Sequence, residues 1–320
     1  MLSRNEITGA GVNYMHNVIV FGSINTDMSV SCTRMPEQGE TVLGSTFVLS
    51  GGGKGANQAV TSARLGAKTY MVGKVGSDRL GSVRIAGLEE YGVRTSRIRT
   101  SSDVATGSAL ILRSKDDNRI VVDPGANVCV TFDEVQDTLD TLAQPGDIFL
   151  TQFECLPEVV KASLAYARKK GLFTICNPSP ALPIDDDMYK TIDLLCLNEA
   201  ECATLSGIQP SSEEDRLSAL NFFAQKGVKQ TILTLGAQGA VAKTADEVVA
   251  RPAFEVTCID TTAAGDAFLG AEAACLSYDN SFDTTMEIAM ATSALCVTKL
   301  GAQDAMPTFD EVQSFLASHK

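Results

Sequence analysis

Short apolar runs alternate along this chain with longer stretches in which apolar residues recur every three or four positions. The short runs are rich in β-branched residues and predict buried strands, whereas the longer stretches predict helices, including 55–67, 78–91 and the region from Ala264 to the end. Strands that alternate with helices form a mostly parallel sheet covered on both faces, so the predicted fold class is α/β. The main strands are predicted at 17–23, 69–76, 147–153, 172–177, 193–198 and 230–235.

Other segments alternate apolar and polar residues at every second position. They are residues 27–35, 40–50 and 105–126, and the last of these contains two such runs around a polar turn. This period is typical of strands with one exposed face, so it predicts a small β-sheet lid built from about 27–50 and 105–125. A further hairpin is predicted at 240–255. We expect one main domain at 17–320, preceded by a disordered extension at 1–16.

Composition disfavours several classes of protein. Of the 320 residues 44% are hydrophobic, and the net charge of -13 disfavours binding to nucleic acid or an acidic membrane. No apolar run approaches the roughly 20 residues that a membrane span requires. The nine cysteines occur singly, which favours reduced thiols and a cytoplasmic location. The last residues, Ser318-His319-Lys320, differ from the S-K-L peroxisomal signal, and a peroxisome-like organelle is the alternative location.

Histidine is nearly absent from the chain. The two histidines, His16 and His319, lie near opposite ends of the sequence. A Ser-His-Asp triad, an H-E-x-x-H zinc site and a histidine-dependent dehydrogenase therefore have no histidine in the body of the chain. We expect any proton acceptor in an active site to be a carboxylate.

Two segments rich in glycine and alanine, 50–59 and 260–268, each precede a helical pattern. The start of a helix offers unpaired N–H groups and a positive dipole end, both of which attract an anion. The second segment adds Asp266, a carboxylate that can accept a proton beside these donors. This combination is typical of a transferase that acts on a hydroxyl group.

These segments also have simpler interpretations. The first is not a Walker A motif, because Val48 and Gly55 stand where glycine and Ser or Thr are required. Its G-x-G-x-x-A match at 51–56 leaves a dinucleotide site open, although it does not follow the first strand. A turn and an N-capped helix are the structural alternatives for the two segments.

Polar residues and glycines follow several predicted strands, at the sheet edge where such folds bind ligands. They are Asn25, Asp27, Glu154, Asn177, Asn198 and Gly236. Asn198 and Glu201 also suit the start of a helix, so capping is the alternative to a binding role. Residues 234–239 suit a bend around a phosphate or a simple turn between strands.

Together these motifs make the sequence similar to the ribokinase and phosphofructokinase-B family of carbohydrate kinases. The resemblance covers nearly the whole chain after residue 16, and the GGKGANQA form is the one found in ribokinases. The matching motifs are GSINTD (22–27), GGGKGANQA (51–59), QFE (152–154), NPSP (177–180), LNEAE (197–201), TLGAQG (234–239), DTTAAGDAF (260–268) and VTKLGAQ (297–303).

The resemblance implies a three-layer α/β/α domain with a lid. It also implies that the protein uses ATP to phosphorylate D-ribose at its 5-hydroxyl, giving D-ribose 5-phosphate and ADP. A kinase for 2-deoxyribose or another related sugar is the alternative. Asp266 would be the general base, and the backbone N–H groups of Ala263, Ala264, Gly265 and Asp266 would form an anion hole. The sugar site would comprise Asn25, Asp27, Gly53, Lys54, Gly55, Ala56, Asn57, Glu154 and Asp266.

The resemblance also implies three cofactors. ATP would contact Asn198, Thr234, Leu235, Gly236, Ala237, Gln238, Gly239, Gly265 and Met290. Mg²⁺ would be held through water by Asn198 and Glu201. K⁺ would be held at Asp260, Thr262, Cys296, Lys299, Gly301 and Ala305. Ala305 stands where family members often carry a serine hydroxyl, which removes one oxygen ligand.

The expected partners are D-ribose, ATP and a second copy of the chain. The alternating strands of the lid leave sheet edges that need a partner, so we expect a homodimer through the lid. A catalytically silent sugar-binding protein is the alternative from another class. That alternative predicts a damaged anion hole or base, whereas Gly265 and Asp266 are both intact here.

Overall fold

The computed structural model describes residues 16–114 and 118–319. Its strands are β1 Val18–Phe21, β2 Asn25–Cys32, β3 Gly44–Gly52, β4 Thr69–Gly76, β5 Arg94–Ser101, β6 Gly107–Arg113, β7 Asn118–Asp123, β8 Ile148–Gln152, β9 Phe173–Asn177, β10 Leu194–Asn198, β11 Gln230–Thr234, β12 Ala240–Lys243 and β13 Val248–Arg251. Its helices are α1 Lys54–Arg64, α2 Arg79–Glu90, α3 Phe132–Leu142, α4 Pro157–Lys169, α5 Asp186–Tyr189, α6 Glu199–Ser206, α7 Glu213–Gln225, α8 Ala264–Leu276, α9 Phe282–Cys296 and α10 Phe309–Ser318. The extension predicted at 1–16 lies, except for His16, outside the described residues.

The main sheet contains nine strands in the order β13-β12-β11-β10-β9-β8-β1-β4-β5. The strands from β11 to β5 pair in parallel, and β12 and β13 add an antiparallel hairpin, as the pattern at 240–255 predicts. The apolar pattern did not predict β5, because its sequence RTSRIRTS is mostly polar. An edge strand with partly exposed side chains needs few apolar residues.

Alternate residues of the central strand face two separate cores. In β1, Val18 and Val20 belong to the core that contains α1, α8, α9 and α10, whereas Ile19 and Phe21 belong to the core that contains α3, α4 and α7. All four side chains are fully buried. Because successive side chains of a strand point to opposite faces, helices cover the sheet on both sides. The three-layer α/β/α prediction is confirmed.

A second sheet has four strands in the order β3-β2-β6-β7 and corresponds to the predicted lid segments. It joins the main sheet where β1 ends, since β2 begins at Asn25 and β3 runs directly towards α1. The pairing register sets Leu49, Met28, Leu110 and Val121 in one row across all four strands. Asp27 occupies the adjacent register position and therefore points to the opposite face.

Two further features of the chain concern membrane-spanning helices and the state of the cysteines. No helix in the described part of the chain is long and apolar enough to cross a membrane. All nine cysteines are free thiols, and most of them are buried.

Candidate active site

The first turns of α1 and α8 meet at one carboxylate. Asn57 donates from Nδ2 to Asp266 Oδ2 at 2.9 Å, although the two residues are 209 positions apart. Gly270 lets the helices approach this closely, because a Cβ there would lie 2.5 Å from the carbonyl oxygen of Gln58. Lys54 and Asp266 line the same cavity. The two glycine-rich segments thus share one cleft, as the sequence predicts.

Asp266 is buried and Lys54 is half-buried, and their opposite charges attract each other across the cavity. Burial raises the pKa of Asp266 above its ordinary value, while the Lys54 charge and the N–H donors on its carboxylate act in the opposite direction. Burial lowers the pKa of Lys54, but the carboxylates of Asp266 and Glu154 outweigh this effect and hold that pKa above its ordinary value. An ammonium group therefore stays beside a carboxylate that can accept a proton.

Helix α8 begins with backbone donors that no helical carbonyl uses. Ala263 precedes the helix with a φ of 60°, a left-handed conformation that costs an alanine roughly 1–2 kcal/mol. The Ala264 N–H donates to Thr261 O at 3.3 Å. The N–H groups of Gly265 and Asp266 come next in the first turn, where intrahelical acceptors are missing. A Cβ on Gly265 would meet only open space, so this side of the turn is accessible to a ligand.

The lid contributes two of the predicted sugar-binding side chains. Asn25 and Asp27 lie on β2, and a Cβ on Gly52 would lie 2.2 Å from an oxygen of Asp27. Burial, together with the nearby charge of Glu154, raises the pKa of Asp27 to about 6. This carboxylate has lost part of its hydration, and a polyhydroxylated ligand supplies replacement hydrogen-bond donors.

Glu154 connects the end of β8 to the start of α1. Its Oε2 accepts from the backbone N–H of Lys54 at 3.0 Å and from the hydroxyl of Ser23. Gly53, just before the helix, has a φ of 90°, and a Cβ there would lie 2.8 Å from Ser23 O. Only glycine suits this turn, so its place in the motif has a steric cause.

Gly55 and Ala56 have a packing role, which differs from the predicted contact with the sugar. Ala56 is fully buried, and its N–H donates to Ser23 O at 2.9 Å. A Cβ on Gly55 would lie 2.7 Å from the backbone of Gly22. These two residues hold α1 against the end of β1.

Two cavities meet at the start of α8. The smaller cavity, of ≈ 220 Å³, is lined by Lys54, Asp266 and polar residues from the ends of β9 and β10. The larger, of ≈ 510 Å³, has a mostly apolar lining that includes Phe268 and Met290. Both cavities are lined by Thr234, Thr261, Ala264 and Gly265. A ligand with an apolar ring and an anionic tail fits this arrangement, with its tail directed towards Asp266.

Most of the segment predicted to bind nucleotide lines the larger cavity, namely Thr234, Gly236, Ala237 and Gly239. Two of its members differ from the prediction. Leu235 is 6% exposed and belongs to the core with Leu197 and Val241. Gln238 accepts a hydrogen bond from Arg216 Nη2 at 2.7 Å. Neither side chain is part of the lining, because the tight turn directs both away from the cavity.

Asn198 and Glu201 cap a helix and also line the candidate site, so both interpretations that the sequence left open apply to them. Asn198 caps α6 by accepting from the N–H of Glu201, and Glu201 Oε2 accepts in return from the N–H of Asn198, both at 2.9 Å. Both residues also line the smaller cavity. The cap fixes the position of the Glu201 carboxylate at the wall of that cavity.

Three of the residues predicted to hold potassium, Asp260, Thr262 and Gly301, are joined by hydrogen bonds. Asp260 accepts from the N–H and hydroxyl of Thr262 at 2.9 and 2.6 Å, and from the N–H of Gly301 at 3.1 Å. Arg113, from the inner face of the lid, lies 3.9 Å from Asp260 Oδ2. Ala305 is fully buried and has no side-chain oxygen. Among the described residues no cluster of three or more His, Cys, Asp or Glu could hold a metal ion.

The sequence did not identify several residues that hold the site together. Asn127 Nδ2 donates to Asn25 Oδ1 at 2.7 Å, and its Oδ1 accepts from the N–H of Ile24 at 2.9 Å. Gln58 and Gln152 lie behind Asp266. The available signals were weak, since Gln58 directly follows Asn57 and Gln152 begins the QFE motif. Nothing in the sequence itself indicates that they touch.

An acidic residue at a helix start, in a polar pocket that adjoins a larger apolar cavity, is the arrangement of a phosphotransferase site in an α/β fold. Residues 15–309 match the pfkB family carbohydrate kinase profile. The chain belongs to the pfkB family of carbohydrate kinases.

Individual relatives match over nearly their whole length. A ribokinase of Haemophilus influenzae is 36% identical over 93% of this chain and 97% of its own. A deoxyribokinase of Salmonella typhi is 30% identical over 94% of this chain and 99% of its own. The solved structure of Arabidopsis thaliana ribokinase complexed with ribose and ATP has a TM-score of 0.86 and 30% identity, and the match covers 94% of this chain and 98% of that chain.

Proposed function

We propose that this protein transfers the γ-phosphoryl group of ATP to the 5-hydroxyl of D-ribose, giving D-ribose 5-phosphate and ADP. The observation that carries the proposal is the position of Asp266, which lines the smaller polar cavity directly after Gly265, a residue that lines both cavities at the start of α8. Ribokinases are similar to the chain over more than nine tenths of its length, and one of them has been solved with ribose and ATP.

The reaction follows from the groups around Asp266. As the hydroxyl oxygen bonds to the γ-phosphorus, its proton passes to Asp266, and the bond between that phosphorus and the bridging oxygen of ADP breaks. The N–H groups of Gly265 and Asp266 stabilise the charge on the phosphoryl oxygens, and one such donor is worth about 10²–10³ in rate. The Lys54 ammonium adds a positive charge in the same cavity.

The sugar binds between the lid and the start of α1. Its hydroxyls donate to the carboxylates of Asp27 and Glu154 and exchange hydrogen bonds with Asn25. Two of these groups are held by hydrogen bonds to neighbouring residues, Asn25 by Asn127 and Glu154 by the N–H of Lys54. A site built from fixed polar groups rejects an analogue that lacks a hydroxyl, because one of those groups then stays unpaired.

Two metal ions would support the reaction. Asn198 and Glu201 would hold Mg²⁺ through water, since a carboxylate at the cavity wall suits a hard cation, and the ion would neutralise phosphate charge. The loop of Asp260 and Thr262 would hold K⁺, since it offers one carboxylate and backbone carbonyls. The guanidinium of Arg113 near Asp260 and the missing hydroxyl at Ala305 both weaken this site, so we expect only modest activation by K⁺.

The protein forms a homodimer through the outer face of the lid sheet. Leu49, Leu110 and Val121 in the row defined above are 51%, 55% and 68% exposed. β3 and β7 end the sheet and each pairs with one described strand only. An apolar row of this kind beside open sheet edges is unfavourable in water, and a second copy of the same sheet covers it.

The decisive test is replacement of the base. Asp266→Asn keeps the shape of the side chain but cannot take a proton at neutral pH, so kcat in a coupled ADP-release assay falls by at least about 10²-fold. Calorimetry finds ribose and ATP still bound. Asp283→Asn, in the first turn of α9, is the matched control and retains full activity. Near-normal turnover in Asp266→Asn refutes the assigned role.

The same assay decides the substrate. Wild-type enzyme is compared on D-ribose, 2-deoxyribose and fructose at equal concentrations, with K⁺ or Na⁺ as the monovalent cation. We expect the highest kcat/KM with ribose. A higher value with 2-deoxyribose assigns the protein to the alternative substrate, and no turnover of any sugar contradicts the proposed reaction as a whole.

A further inference from the structure

Two buried glutamines lie behind Asp266, on the side away from the lid. Gln58 donates from Nε2 to Asp266 Oδ1 at 2.9 Å, and Gln152 donates from Nε2 to Gln58 Oε1 at 2.6 Å. Both glutamines are fully buried, and Asp266 is 7% exposed. The three residues come from α1, the end of β8 and the start of α8, so the connection exists only in the folded chain.

The direction of these bonds follows from the chemistry of the groups. An ionised carboxylate only accepts, so Gln58 must turn its NH₂ towards Asp266. Its oxygen then points the other way and needs a donor, which the NH₂ of Gln152 provides. If that donor is absent, the Gln58 amide can rotate and place its oxygen against the carboxylate, which is repulsive. Gln152 therefore determines the orientation of Gln58, and Gln58 determines that of Asp266.

The arrangement includes an unsatisfied group that packing alone does not explain. Gln152 Oε1 is buried and has no hydrogen-bond partner. Leaving such an acceptor unpaired costs roughly 1–3 kcal/mol, which an apolar side chain at this position avoids. Gly22 makes room for the amide, since a Cβ there would lie 2.0 Å from Gln152 Oε1. The chain thus keeps an amide where an apolar residue would be more stable.

We propose that Gln58 and Gln152 are positioning residues that keep Asp266 oriented and ionised for proton transfer. With Asn57 on Oδ2 and Gln58 on Oδ1, each carboxylate oxygen is held by one amide donor, and Asp266 still lines the smaller cavity. The inference deepens the proposed function and rests on it, because it assigns these glutamines to the same base.

The test compares Gln58→Met, Gln152→Met and the double variant by kcat, KM and the pH dependence of kcat. Each single change lowers kcat about 10- to 100-fold, as expected when a reacting group is displaced, while KM for ribose and ATP changes little. The acid limb of the kcat profile moves to higher pH, because removing N–H donors from the carboxylate raises the pKa of Asp266.

The double variant separates positioning from general damage. If Gln152 acts through Gln58, the double variant is no worse than Gln58→Met alone, since the two effects are not additive. Thr151→Val is the matched control, because Thr151 is the buried neighbour of Gln152 on β8 and its hydroxyl has no partner. It leaves kcat and the pH profile unchanged. Should Gln152→Met fail to fold, Gln152→Asn carries the same readout.

Each outcome decides a separate question. Wild-type kcat and pH profile in Gln152→Met, or losses that multiply in the double variant, overturn the positioning role while the proposed function stands. A wild-type protein that phosphorylates no sugar overturns both. A Thr151→Val profile that shifts as the glutamine variants do reduces the effect to local packing and also overturns the inference.

Discussion

Glu272 is a carboxyl group buried in the middle of α8, where no substrate reaches it. It is 1% exposed, and its Oε1 has no hydrogen-bond partner. Burial raises the pKa of Glu272 to about 8, so at neutral pH the group is mostly protonated. The helix that begins beside Asp266 thus also carries an acid that destabilises the fold increasingly as the pH rises above about 4.5.

The sign of this effect follows from proton counting. Between pH of about 4.5 and 8 the unfolded chain has released the proton of Glu272, whereas the folded chain has kept it. The unfolded state therefore binds fewer protons, and the free energy of unfolding falls by about 1.4 kcal/mol per pH unit from this one group. Glu272 therefore destabilises the folded chain to its full extent above a pH of about 8, which is its pKa in the folded state.

Glu272→Met is accordingly expected to raise the melting temperature, and to raise it more at pH 8 than at pH 5, because methionine fills the site without an ionisable group. Thermal unfolding at the two pH values measures the difference. Glu287→Met, an exposed position on α9, is the control and produces no pH-dependent gain. An equal gain for Glu272→Met at both pH values argues against a raised pKa.

At the scale of elements, the contacts of Asp266 depend on how closely α1 and α8 pack. The contact runs through Gly270, whose missing side chain leaves room for the carbonyl of Gln58 and the side chain of Thr61. Asn57 and Gln58 on one helix reach Asp266 on the other because the helices lie at this short distance. A small residue in the helix interior thus sets the geometry of the base one turn away.

Gly270→Ala is expected to separate the two helices, since its Cβ would lie 2.5 Å from both Gln58 O and Thr61 Cβ. Overpacking of this kind typically costs about 1–3 kcal/mol, and kcat falls because Asn57 and Gln58 move away from Asp266. Denaturant unfolding and steady-state kinetics measure the two effects.

Gly87→Ala is the matched control for that substitution. Gly87 lies within α2, and a Cβ there would meet nothing within 4 Å. In an open helical position alanine is more favourable than glycine by roughly 0.5–1 kcal/mol, so this variant is slightly more stable and fully active. Equal behaviour of the two variants contradicts the role given to Gly270.

At the scale of the whole molecule, the two faces of the lid sheet differ in the side chains that they carry. Its inner face carries Asp27 and Arg113 towards the main domain, where Arg113 lies 3.9 Å from Asp260. Its outer face carries the apolar row of Leu49, Met28, Leu110 and Val121. The proposed association through the outer face would therefore hold β2 and β6, the strands that carry Asp27 and Arg113.

Val121→Lys is expected to weaken the homodimer, because it buries a charge in the apolar row. Light scattering detects this as a fall in mass from twice the 33.8 kDa of one chain towards a single chain. Leu217→Lys changes an equally apolar, 44% exposed residue on α7 and leaves the mass unchanged. A wild-type protein of single-chain mass rules out the dimer.

The sequence by itself determined the elements and the chemistry they carry. Periodicity located most of the strands, since a buried parallel strand must be apolar throughout, and it failed for β5, where a polar edge strand has no such requirement. The glycine-rich segments and Asp266 predicted an anion site, because small residues at a helix start leave its unpaired N–H groups accessible. These are local properties, readable within about ten residues.

Only the tertiary structure decided which residues touch. It brought Asn57 to Asp266 across 209 positions and Gln152 to Gln58 across 94, and it showed that Gly55 and Ala56 pack behind the site although they share a motif with Lys54. It also set Arg113 beside Asp260. Such contacts depend on the order of strands in the sheet and the distance between helices. Those quantities arise from the packing of the whole chain, and a local pattern does not contain them.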